Sequence, residues 1–268
     1  MKKLLLPFYD YTRNHYVLFS ILFTILCLIV VLYVKLSFLF SYHPDISGSE
    51  RTTTYGVQIV AGGLPLYQDP AKPPFWITHY SPLYYFVVGK IYRLIGWDVT
   101  NIYRVQLLSR LVSFFLVLCS LAVMFMTLKN LLKVSRVAIF FAMAFMFCLL
   151  QHWYMTNSRI DSLLFFWMTV FIHLALRSLL ESTINNKYWL FAVGASVLAL
   201  FSKQSAYMYI AGWVVYLVWV KEWKLLAKSF IVTFVLVAAL SMGFGWPDMT
   251  LFFRNVILRL ASKLNPWV

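Results

Sequence analysis

Apolar residues fall in seven long runs along this chain: Val17–Val34, Leu111–Leu128, Val137–Leu150, Leu163–Leu176, Tyr188–Phe201, Ala206–Val220 and Phe230–Phe244. Each approaches the roughly 20 residues that a helix needs to cross about 30 Å of hydrocarbon. The pattern predicts an all-α, polytopic transmembrane helical bundle of about seven crossings, with interfacial helices in the first outer loop and in the C-terminal tail. Pro82–Trp97 is an eighth apolar segment, shorter than the others and interrupted by Gly89, Lys90 and Arg93. The tail repeats Phe253, Val256, Ile257, Leu260 and Leu264 on one helical face, with Asn255, Arg259, Ser262 and Lys263 on the other. That is a basic amphipathic helix suited to the headgroup plane.

Charge fixes the expected sidedness. Suppose Pro82–Trp97 does not cross. The N-terminus (Lys2, Lys3, Arg13) then shares one side with Lys129, Lys133 and Arg136, with Lys187, and with Lys221, Lys224 and Lys228. Suppose it does cross. Those three later loops then land opposite the N-terminus, against the positive-inside rule. Pro82–Trp97 is therefore expected to lie in the interface, its cations snorkelling to the headgroups. The N-terminus is expected to be cytoplasmic and the first helix retained, because no small-x-small cleavage site follows it. Residues 41–101, the turn at 153–160, Lys203-Gln204 and the tail 246–268 then share the outer face.

Composition agrees. Of the 268 residues, 62% are hydrophobic and 12% charged, against roughly 45–50% and about 25% in soluble domains. Mean hydropathy is +0.78. Disorder, collagen-like repeats, disulfide scaffolds and soluble Rossmann or barrel enzymes are excluded. The net charge of +14 is scattered between the apolar runs, which marks helix flanks and not a nucleic-acid surface. Cys27, Cys119 and Cys148 lie inside apolar stretches without metal-ligand spacing and read as packing residues. His173, alone inside a run, reads as a hydrogen bonder between helices.

Six of the nine acids (Asp45, Glu50, Asp69, Asp98, Asp161, Asp248) fall on or near the outer side. Acids contribute little to insertion, so this concentration points toward chemistry. Asp45 and Glu50 flank a Gly-Ser turn just after the first crossing, where partial desolvation raises a carboxylate's basicity. A plainer reading makes them loop acids capping the following helix, Arg51–Ala61, which is expected to lie on the surface. Arg159 and Asp161 open an otherwise uncharged helix, as a polar cavity or as a mutual ion pair. Lys203-Gln204 separates two apolar helices, where the lysine is either a phosphate-binding point charge or a snorkelling residue of a tight hairpin. No phosphate loop, Ser/His/Asp triad or His/Cys metal cluster appears in the sequence.

Taken in order, these motifs resemble a family. They are Asp-x-x-Gly-x-Glu (Asp45–Glu50), Gly-x-x-x-Tyr-x-Asp-Pro (Gly63–Pro70), Tyr-x-Pro-Leu-Tyr-Tyr (Tyr80–Tyr85), Arg-x-Asp (Arg159–Asp161) and Lys203-Gln204. The arrangement is similar to GT-C integral-membrane glycosyltransferases, in the branch of protein O-mannosyltransferases and lipid A aminoarabinose transferases, over about residues 17–245. The resemblance implies a catalytic module at 1–245 and an interfacial tail at 246–268. It also implies inverting transfer of a sugar from a polyprenyl-phosphate donor to an acceptor on the non-cytoplasmic face.

Glu50 matches the second acid of the family's Asp-Glu pair, with Ser49 at the first, and Asp45 is the competing base. Asp161 matches the acid of the second outer loop, and Lys203, followed by Gln204, the lysine after the fifth crossing. The family's cation for the lipid phosphate lies on a segment matching Pro74–Pro82, which here carries His79 and Tyr80, with Lys72 the nearest lysine. Arg159, Lys203 and the tail helix with Arg259 are the other expected phosphate contacts. A divalent metal is compatible with these acids, but no ligand set is recognisable. Relatives continue for several more crossings, so a partner subunit supplying that half is one expectation. The implied setting is a bacterial inner membrane with the site on its periplasmic side. Two other classes stay open: a transporter or flippase of lipid-linked intermediates, and a non-catalytic membrane subunit that keeps the fold.

Overall fold

A computed structural model describes residues 2–43, 45, 49–69, 78, 80–150, 157–180, 184–244 and 250–252, the side chains of 2–14 excepted. Regular structure among the described residues is entirely helical. The α-helices are α1 (Lys2–Leu39), α2 (Glu50–Ala61), α3 (Leu83–Ile95), α4 (Ile102–Met126), α5 (Arg136–Leu149), α6 (Asp161–Leu179), α7 (Asn186–Ser202), α8 (Tyr207–Trp219) and α9 (Trp223–Phe244). A π-helical turn, Thr127–Leu131, extends α4, and a short 3₁₀ turn, Gln204–Ala206, precedes α8.

All seven apolar runs are helical. Four described helices are long and apolar enough to cross a bilayer: His15–Leu39, Ile102–Leu131, Asp161–Leu179 and Trp223–Phe244. With α5, α7 and α8 at 14, 17 and 13 residues, those three reach about 21, 26 and 20 Å at 1.5 Å per residue.

Side-chain contacts fix the helix directions. The last turn of α1 meets Arg110 through the Phe38 carbonyl, and His43 just beyond it meets Gln106, both near the start of α4, so α1 and α4 are antiparallel. α6 runs parallel to α4. Ser162 bonds Ser113 near one end, and Thr127 Oγ1 meets His173 Nδ1 at 2.9 Å near the other. His173 is thus the interhelical bonder the sequence implied. α7 returns along α6, and Trp213 Nε1 to Ser196 Oγ (3.3 Å) and Trp189 Nε1 to Ser229 Oγ (3.2 Å) tie α8 and α9 to it. Indole N–H groups inside an apolar bundle need such partners. Asn101, Ser135 and Asn185 accept backbone N–H bonds at the starts of α4, α5 and α7, as N-caps do.

α2 corrects the sequence reading. It was expected on the surface over Arg51–Ala61, but it begins at Glu50 and buries Thr53, Thr54, Val57, Ile59 and Val60. Its partner is α3, the helix inside Pro82–Trp97, which buries Tyr84, Tyr85, Val88 and Tyr92 while Lys90 and Arg93 stay exposed. At about 20 Å, α3 is not among the helices long and apolar enough to cross. Two glycines let the pair close. A Cβ on Gly56 would stand 2.6 Å from the Tyr85 ring, and one on Gly89 would stand 2.8 Å from Val60 Cγ1. The resulting core joins α2 and α3 to Val105 and Leu108 of α4, Leu163 of α6, and Val197 and Phe201 of α7. The apolar character of α2 was diluted by its threonines, and burial against α3 supplies what its own periodicity does not.

Candidate functional site

Helix termini converge at one end of the bundle. Glu50 opens α2 and is fully buried. Arg110, eight residues into α4 and 1% exposed, meets it with two bonds, Nε to Oε1 at 2.7 Å and Nη2 to Oε2 at 2.9 Å. The backbone N–H of Ser158 donates to Oε1 at 2.9 Å. The rest of the guanidinium closes α1: Nη1 donates to Phe38 O (3.1 Å) and Ser41 O (2.6 Å), and Nη2 to His43 O (2.9 Å). Carbonyls at a helix C-terminus carry partial negative charge and amides at an N-terminus partial positive charge, so both ions sit where the helix dipoles favour them. Glu50 was expected to be held by the free N–H groups of its own helix. It is held instead by Arg110 and Ser158, and its carboxylate faces the interior.

Asp45 stands beside this pair, half-buried. Its Oδ1 accepts the Glu50 backbone N–H at 3.2 Å, and its own N–H donates to His43 Nδ1 at 3.4 Å. On α3, the Tyr84 hydroxyl donates to Ser109 O at 3.0 Å and shares a 2.9 Å bond with Ser113 Oγ. Burial pushes the Tyr84 phenol well above its usual range; the Ser113 bond offsets this in part, and the Glu50 charge adds to it.

The second feature is a cluster at the rim. Asp161, the first residue of α6, accepts from Lys203 Nζ at 2.6 Å through Oδ1 and faces Arg159 Nε at 3.4 Å through Oδ2. Lys203 lies in extended backbone between α7 and the 3₁₀ turn. Its ammonium sits 5.8 Å from the centre of the Tyr80 ring. The side chains of Arg159, Asp161 and Lys203 are 14%, 16% and 25% exposed. Asp161 thus gathers two cations at a partly desolvated rim. Such a place can hold an anion while the acid fixes both cations.

Arg159, Asp161, Lys203 and Tyr80 therefore come together, and Gln204 opens the adjoining 3₁₀ turn. The same segment joins this cluster to the buried pair, because Ser158, which binds Glu50, precedes Arg159. Lys72, His79 and Arg259 lie outside the described residues, as does the tail helix. Arg110 was missed. It stands one residue before the run Leu111–Leu128. The signal was available in the polar stripe Gln106, Ser109, Arg110, Ser113 and Ser120, all buried, along one apolar helix. Asn157 was also missed: it is fully buried, and neither amide atom has a hydrogen-bond partner among the described residues. Those residues contain no group of three or more His, Cys, Asp or Glu placed to hold a metal ion.

The long apolar helices define a multi-pass helical membrane protein. Compared with models of known families, with curated proteins and with solved structures, the chain matches none.

Proposed function

We propose that this protein is a membrane glycosyltransferase that uses a polyprenyl-phosphate sugar at the face where Asp45, Asp161 and Lys203 lie. The observation that carries the reading is the rim cluster, in which one half-buried acid gathers two cations beside the Tyr80 ring. The order of the five sequence motifs, which resembles GT-C enzymes, supplies the reaction class. In this reading all seven runs cross, α5, α7 and α8 included, and the face is the non-cytoplasmic one.

The chemistry assigns roles by accessibility. With both oxygens occupied, Glu50 is a positioning residue that holds the Ser158–Asp161 segment. The acceptor-orienting carboxylate is then Asp45. An acceptor hydroxyl gives its proton to Asp45 as its oxygen bonds to the anomeric carbon. The bond from that carbon to the phosphate oxygen breaks, and its electron pair leaves with the polyprenyl phosphate. Lys203 and Arg159 face the charge that develops there.

The test uses the full chain in liposomes with polyprenyl-phosphate mannose, glucose or aminoarabinose as donor, and reads release of polyprenyl phosphate. Release from one donor, reduced about 10²-fold or more by Asp45→Asn and also lost in Lys203→Gln, supports the reading. Movement of intact donor between leaflets without release would overturn it in favour of a flippase. Absence of both release and movement from a correctly folded chain would assign it to the non-catalytic class.

A further inference from the structure

At the opposite end of the bundle, α1, α4 and α5 leave a groove between them of about 1110 Å³. Its walls are apolar, with Ile25, Leu32, Leu118, Phe125, Met143 and Phe147 along its length. Its end is not: Lys129, Lys133 and Arg136 line it, and no acid does. All three cations are exposed, and none forms an ion pair with a carboxylate among the described residues.

The backbone of this end is unusual. α4 closes in a π-helical turn at Thr127–Leu131, which carries Lys129. Lys133 adopts a left-handed conformation, φ +50°. A non-glycine residue there is strained, and π turns are rare and concentrate at functional sites. A glycine would make the same turn without strain, yet the position carries a cation that faces the groove.

The dimensions name the occupant's class. From Arg136 to Phe147, α5 rises about 16 Å over eleven residues, close to half of the roughly 30 Å hydrocarbon thickness. The groove therefore runs the depth of one leaflet, from headgroup level to the bilayer middle. We propose that it binds one anionic membrane lipid, its phosphate against Lys129, Lys133 and Arg136 and its chains along α1, α4 and α5. This goes beyond the glycosyltransferase reading and stands on the other side of the molecule, so either can fail alone.

The experiment titrates the full chain in detergent with dioleoylphosphatidylglycerol and counts bound lipid by native mass spectrometry. Dioleoylphosphatidylcholine and inorganic phosphate serve as the zwitterionic and headgroup-only controls. Each cation near a headgroup is worth roughly fivefold in affinity. Joint Lys129→Gln, Lys133→Gln and Arg136→Gln substitution should thus weaken phosphatidylglycerol about a hundredfold. Ile29→Trp, a filler at a 59% exposed groove position, should lower binding with every charge intact. Lys224→Gln with Lys228→Gln, cations outside the groove, should leave it unchanged. Equal retention of the two lipids, displacement by inorganic phosphate, or unchanged binding in Ile29→Trp would overturn the proposal. A dimer that Ile29→Trp dissociates would overturn it too, giving the groove to a second copy.

Discussion

Arg110 and Glu50, 60 positions apart, form a two-pronged ion pair with neither side chain more than 1% exposed. Through it, the end of α1, the start of α2, the body of α4 and the approach to α6 become one unit. Removing one partner of a buried pair strands the other's charge, at a cost of about 3–5 kcal/mol. Glu50→Ala and Arg110→Ala should each destabilise by about that amount in denaturant unfolding of the detergent-solubilised protein. The double variant should lose clearly less than the sum. Additivity within about 0.5 kcal/mol would show that the two side chains act independently.

The rim cluster should behave differently. Asp161 and Lys203 are partly exposed, and exposed ion pairs contribute about 0–1 kcal/mol. Lys203→Gln should leave thermal unfolding almost unchanged while weakening retention of a polyprenyl phosphate in the same preparation. If both properties fall together, the cluster is part of the scaffold.

The contrast between these two sites explains what the sequence could reveal. Long apolar runs fix helices whatever their neighbours, so all seven were legible as elements. Arg159, Asp161 and Lys203 were legible because each interrupts such a run at its mouth. The burial of Glu50 was not legible, because it depends on a cation 60 residues away that resembles an ordinary helix flank. The burial of α2 depends likewise on two glycines, Gly56 and Gly89, whose meaning appears only when α3 lies against them.

That contact gives a third prediction. At Gly89 an added Cβ would approach Val60 Cβ to 2.9 Å and the Val57 carbonyl to 3.1 Å. The carbonyl is backbone and cannot turn aside. Overpacking of this kind costs about 1–3 kcal/mol, so Gly89→Ala should lower the unfolding temperature. Gly96, with nothing within 4 Å but φ +74°, should be less costly to substitute, through backbone strain alone. Equal effects at both positions would remove the close-packing argument.

Sidedness can be read by labelling. Tyr42 is 81% exposed beside the Glu50 end, and Ser135 is exposed at the Lys129–Arg136 end. In a background lacking Cys27, Cys119 and Cys148, Tyr42→Cys and Ser135→Cys should react with an impermeant reagent from opposite sides of sealed vesicles. Reaction of both from one side would break the inferred topology.

The buried Tyr84 phenol contributes to the loss of stability at alkaline pH. Its pKa is raised in the folded protein, first by burial and with an added contribution from Glu50, while the unfolded phenol titrates near 10. Because the folded value is the higher one, the associated stability is fully present below about pH 10. It is lost as pH rises toward the folded value, since the unfolded chain releases the proton first. Tyr84→Phe removes that titration and also the bonds to Ser109 and Ser113. The variant should therefore be less stable than the native chain at pH 7, and the gap should narrow as pH is raised past about 10. Unfolding midpoints measured at several pH values check this. A gap that stays constant or widens would mean that the Tyr84 hydroxyl meets water in the folded state, and the α3–α4 contact would then be looser than its hydrogen bonds imply.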